Sequence, residues 1–81
     1  MSFTEMLAWQ TEELMKCIIT VYHLPMPEAE QQLKASTFYN LLTDEQNGWW
    51  KDSVDDNFRR YQNEVEYGAW NKTEHGDVLS A

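Results

Sequence analysis

The only two prolines of this chain stand two residues apart, in Leu24-Pro25-Met26-Pro27, and divide it more sharply than any other feature. A proline lacks an amide donor and restricts the residue before it, so no regular helix or interior strand runs through this stretch. The segment before it reads as one long helix. Ser2 and Glu5 form a capping-box pair, in which hydroxyl and carboxylate satisfy free amides at a helix start. The prolines end that helix, which predicts a span of about residues 3–23.

At about 100° per residue, Phe3, Met6, Leu7, Leu14, Cys17, Ile18 and Val21 share one side of it, extended by Met15, Ile19 and Tyr22. This arc is wider than the ~100° stripe a surface helix needs. Either the helix is central to the domain, or a second molecule covers part of the arc, as in a homodimer through this helix. Opposite lie Glu5, Glu12, Glu13, Lys16 and Thr20, with Trp9 among them. Core packing gives no reason for a tryptophan on that face.

After the prolines, Pro27 suits the first position of a second helix, favoured by Glu28 and Glu30 near its positive end. Ala35, Phe38 and Leu42 share a face while Leu33 and Leu41 fall elsewhere, which predicts a helix over 27–42 contacted on two sides, or one split near Ser36. Thr43-Asp44-Glu45-Gln46 is a second capping box, predicting a third helix over 44–67 with Trp50, Val54, Phe58, Tyr61 and Val65 as its core stripe. Gly68 supplies its left-handed cap. Asn47-Gly48 is discordant: either a tolerated glycine costing roughly 1 kcal/mol, or the sign of a later helix start. The expected fold is therefore all-α, a compact bundle of three helices, or four with the middle one split. Residues 1–70 form one domain and 71–81 a loose polar tail, with Val78 and Leu79 as its anchors.

Composition supports folding and narrows partners. Across 81 residues, 14% aromatics exceed what disordered chains carry, so a core can form. Six Lys and Arg against 14 Asp and Glu give a net charge of -8, which disfavours direct contact with nucleic acid or anionic membrane and favours a basic protein partner. A lone Cys17 and the absence of a leader-like run after Met1 predict a reducing, cytoplasmic setting. No apolar stretch is long enough to cross a bilayer. On these grounds the sequon Asn71-Lys72-Thr73 reads as chance.

Signatures of catalysis are missing. Three glycines do not build a phosphate-binding loop, and there is no nucleophile elbow or paired-histidine zinc motif. His23 reads as a partner of a helix C-terminus and Cys17 as a small packed hydrophobe. Asp52 and Asp56 share a helix face beside Asp55, but the calcium-loop test fails: with Gly48 as the invariant glycine, Thr43 and Val54 fall at the first and last ligand positions. The expectation is no enzyme, no cofactor and no metal. A small carboxylate metal-binding domain using Asp52, Asp56 and His75 is the remote alternative.

Charge and aromatics coincide in one region. Half of the net charge falls on residues 43–70, where Glu45, Asp52, Asp55, Asp56 and Glu66 lie off the predicted core stripe with Trp49 and Tyr67, and Trp70 follows the cap. Tryptophan and tyrosine are enriched at binding hot spots because a single ring buries much area with little entropy loss. Trp9, Glu45, Trp49, Asp52, Asp55, Asp56, Glu66, Tyr67 and Trp70 are therefore the expected partner-binding residues. The expected role is a non-enzymatic inhibitor that mimics nucleic acid and occupies a basic, nucleic-acid-processing or defence protein, as small viral or mobile-element proteins do. The alternative is a dimeric antitoxin, secretion chaperone or assembly adaptor.

Overall fold

The computed structural model describes residues 2–72. Among these the chain forms α1 (Phe3–Tyr22), α2 (Met26–Ala35), α3 (Thr37–Leu42), two 3-10 turns (Glu45–Asn47 and Trp49–Lys51) and α4 (Val54–Tyr67), in an all-α bundle. The expected tail beyond Lys72, with His75, Val78 and Leu79, lies outside the described residues.

α1 starts where its capping box predicts, with one arm of the box formed: the Glu5 amide donates to Ser2 Oγ at 3.2 Å, while the Glu5 carboxylate accepts from the Ser2 hydroxyl at 3.0 Å instead of from a backbone amide. It ends at His23 in the left-handed region, φ 56°, and the prolines turn the chain into α2. α1 is the central helix, packed by α2, by α4 and by the second 3-10 turn. Met15, Ile19 and Tyr22 are partly buried against the core, so the extension of its wide arc is used within the chain, while Val21 stays exposed.

The middle segment is split at Ser36. Its backbone turns extended (ψ 150°), its hydroxyl donates to the Leu33 carbonyl at 2.6 Å, and the same oxygen accepts from the Tyr39 amide at 3.1 Å. One serine thus closes α2 and opens α3, which frees Leu33 and Phe38 to enter the same core from two helix directions.

The last helix starts later than the Thr43 capping box predicts. Asp44 Oδ1 does cap a helical turn, accepting from the Gln46 amide at 3.1 Å, but that turn ends at Gly48, whose φ of 82° an α-helix does not accommodate. A second cap, Ser53 Oγ accepting from the Asp56 amide at 3.1 Å, then opens α4. The Asn-Gly pair therefore marks the later start. Gly68 closes α4 at φ 90°, its amide donating to the Glu64 carbonyl at 3.0 Å.

Leu14, Ile18, Ala29, Leu33, Phe38, Leu42 and Tyr61 make up the buried core. Val54 and Phe58 lean on it as their spacing predicts and Trp50 does so from the second 3-10 turn, where the helical stripe does not apply, but Val65 is half exposed, and α4 instead buries Asn57 and Asn63. The cause is the irregular backbone before and after α4, whose carbonyls lack α-helical partners; that of Trp49 takes a 3-10 bond from the Asp52 amide at 3.0 Å and has room for a second donor. Asn57 Nδ2 donates to the Trp49 carbonyl at 2.8 Å, and Asn63 Nδ2 to the Trp70 carbonyl at 3.1 Å. From α1, the fully buried Gln10 donates through Nε2 to the carbonyls of Trp50 and Asp52.

Candidate functional site

The expected binding residues separate into two groups. The first is drawn into the domain. Trp49 stacks on Phe38 (centroids 5.8 Å apart, planes at 22°) and meets Trp70 in a T-shaped contact with centroids 4.8 Å apart. The Arg60 guanidinium lies over the Trp49 ring, 4.3 Å from its centroid, and donates at 2.8 Å both to Asp52 Oδ2 and to Asn57 Oδ1. Trp49, Trp70 and Asp52 thus form, with Arg60, a cluster that fastens the second 3-10 turn and the chain after Gly68 to α4. Trp49 was expected on the back of a continuous helix. Because α4 begins at Val54, that wheel does not apply to residue 49, and the turn aims its ring at Phe38.

The second group stays at the surface. Asp55 and Asp56 are exposed in the first turn of α4, where the helix dipole favours them. The ion pairs among the described residues put Arg60 on Asp52 and none on these two aspartates. Glu45 is exposed, and its backbone carbonyl accepts from Trp50 Nε1 at 2.7 Å. Glu66 is exposed and accepts from the Tyr22 hydroxyl at 3.3 Å, joining α1 to the last turn of α4. Tyr67 is 36% exposed beside it. Trp9 is 44% exposed on the outer face of α1.

Charge on this surface reaches the seam between α1 and α4. Burial, followed by the carboxylates of Asp55 and Glu13, pushes the Cys17 thiol above its ordinary pKa. Burial first, then Glu66, raises the Tyr22 hydroxyl likewise. A thiol kept protonated is a poor nucleophile.

Sequence spacing sets Arg59 and Arg60 three or four residues after Asp55 and Asp56 as helix-surface pairs, but Arg60 turns to Asp52 instead, and the sequence does not single out Glu64 or the three buried amides. Glu64 accepts from the amides of Thr37 at 2.9 Å and Phe38 at 2.7 Å, capping α3 from α4. A carboxylate in an acidic helix carries no local sign of capping a different helix, so no spacing rule finds it. Among the described residues no three His, Cys, Asp or Glu side chains come together as a metal site, and no helix is long and apolar enough to cross a membrane. No protein-family model matches the chain, and neither a curated protein nor a solved structure is significantly similar to it.

Proposed function

We propose that this chain is a cytoplasmic, non-enzymatic binding protein that docks an acidic surface with an exposed aromatic on a basic protein, in the manner of an inhibitor that takes the place of nucleic acid. One observation carries the reading: Asp55, Asp56 and Glu66 remain exposed, Trp9 is exposed on the acidic face of α1, and of the arginines on α4 Arg60 is committed to Asp52 while Arg59, one turn from Asp55 and Asp56, makes no ion pair with them among the described residues. Uncompensated carboxylates on rigid helices present to Lys and Arg the kind of charge a phosphate backbone presents. They act mainly on the rate of encounter, and an exposed ring adds the specificity that charge alone lacks.

The test is capture of a partner from the source cells with tagged protein, followed by association kinetics with the purified partner. Asp55→Asn, Asp56→Asn and Glu66→Gln together remove charge at nearly constant shape; Asp52 is left alone because its ion pair with Arg60 holds the turn. Association is expected to slow about tenfold at low salt and to converge with the unaltered chain at high salt. Unchanged kinetics in the triple variant would refute the acidic-surface reading.

A further inference from the structure

The outer face of α1 holds an arrangement that the interior of the protein already uses once. Inside, Arg60 is held by an indole face, Trp49 at 4.3 Å, and by a carboxylate, Asp52 at 2.8 Å. Outside, Trp9 has Glu5 four residues before it and Glu12 and Glu13 three and four after it, all within α1. Helical geometry places each of these one turn from Trp9 on the same face, with Cβ atoms roughly 5–6 Å apart. The outer set therefore has the same two components, an indole and carboxylates beside it, and Trp9 is 44% exposed.

We infer that this face of α1 is the seat for an arginine side chain of the basic partner, stacked on Trp9 and paired with Glu12 or Glu13. The inference rests on the acidic-surface reading and adds a place and a preferred residue to it. Charge complementarity selects the occupant. Three glutamates against Lys16 leave the face negative, and a second copy, itself at -8, would be repelled. Arginine is favoured over lysine because its planar guanidinium stacks on an indole while its edges donate in pairs to carboxylates, whereas an ammonium is a compact, strongly hydrated charge. Lys16 now partly occupies the carboxylates, at 2.9 Å from Glu13 and 3.9 Å from Glu12. It is the group an incoming arginine displaces.

The experiment uses the full chain labelled with 15N and two probes, an oligoarginine and an oligolysine peptide of equal length, followed by the indole N–H signals of the tryptophans. The Trp9 signal, identified by its loss in Trp9→Phe, is expected to move with oligoarginine, which binds about fivefold tighter than oligolysine. Trp9→Ala should erase that preference, and Lys16→Gln should tighten oligoarginine binding. A Trp9 signal that stays in place while oligoarginine binds, or an arginine preference that survives in Trp9→Ala, overturns the seat. The two readings fail separately. If Trp9 does not respond but loss of the Asp55, Asp56 and Glu66 charges weakens peptide binding, the α1 seat falls and the acidic surface stands. If Trp9 responds while those charges do not affect association with the captured partner, the α4 acids drop out and the seat remains.

Discussion

Replacing Glu64 by alanine removes a side chain that ties the start of α3 to α4 through backbone donors. Its two oxygens accept from Thr37 N at 2.9 Å and Phe38 N at 2.7 Å. The two bonds are not equivalent. Thr37 is exposed, so water takes over its amide and the loss there is about 0.5 kcal/mol. Phe38 is fully buried, and its amide left without a partner costs about 2 kcal/mol. The charge at the helix start adds a few tenths, for a total of roughly 2–3 kcal/mol. Alanine suits the interior of α4 better than glutamate does, so propensity slightly offsets this loss and cannot produce it. In a domain of this size the melting temperature should fall by roughly 10–20 °C, and the urea midpoint by about 1–2 M at unchanged slope. Glu64→Gln, which keeps one carbonyl oxygen, should fall between the two. Circular dichroism and tryptophan fluorescence across a urea series measure both variants. A Glu64→Ala chain within about 0.5 kcal/mol of the unaltered protein would refute the assignment of Glu64 as the cap of α3.

Two further outcomes follow from the same interior. Asn57→Leu removes one of the two donors on the Trp49 carbonyl, which keeps the Asp52 amide, and takes one acceptor from Arg60, so urea unfolding should show a loss of about 1–2 kcal/mol, against less than about 0.5 kcal/mol for the exposed Arg59→Ala. Cys17, raised by burial and then by Asp55 and Glu13, should alkylate with a pH midpoint above that of a free thiol, and Asp55→Asn should lower that midpoint. The sign follows from linkage: a raised thiol pKa means that the folded state holds its proton more tightly. This contribution to stability is present below the unfolded-state value and is lost as pH rises through the folded-state one.

Much of the scaffold is legible without coordinates. The Ser2 and Gly68 caps, the break at the prolines and the Leu14 and Ile18 side of α1 follow from local spacing, because each depends on residues within one or two helical turns. The start of α4 is half legible. Thr43 to Gln46 and Ser53 to Asp56 both carry capping signatures, and only the left-handed Gly48 between them decides which one opens the long helix. Of the expected binding residues, Asp55, Asp56, Glu66 and Trp9 keep their side chains at the surface because they sit on regular helices whose outer faces a wheel describes. Trp49 escapes such reasoning because its direction is set by a turn.

By itself, then, the sequence determined an acidic, all-helical chain broken at Pro25 and Pro27, since propensity, capping and charge are properties of neighbours along the chain. Tertiary structure decided which polar groups go inside. The second 3-10 turn, Asp52 and the chain after Gly68 present carbonyls that α4 does not satisfy, and the amide nitrogens of Gln10, Asn57 and Asn63 are buried to meet them, with Gln10 Oε1 itself left without a hydrogen-bond partner among the described residues. Their partners lie between 7 and 42 residues away, and from Asn57 the network runs on to Arg60, which unites Asp52 with Trp49. An unpaired carbonyl in a dry interior costs more than burying an amide that pairs with it. That balance, set across the fold and not along the sequence, gathers Trp49, Trp70, Arg60 and a still part-exposed Asp52 into one cluster and leaves Trp9, Asp55, Asp56 and Glu66 facing solvent.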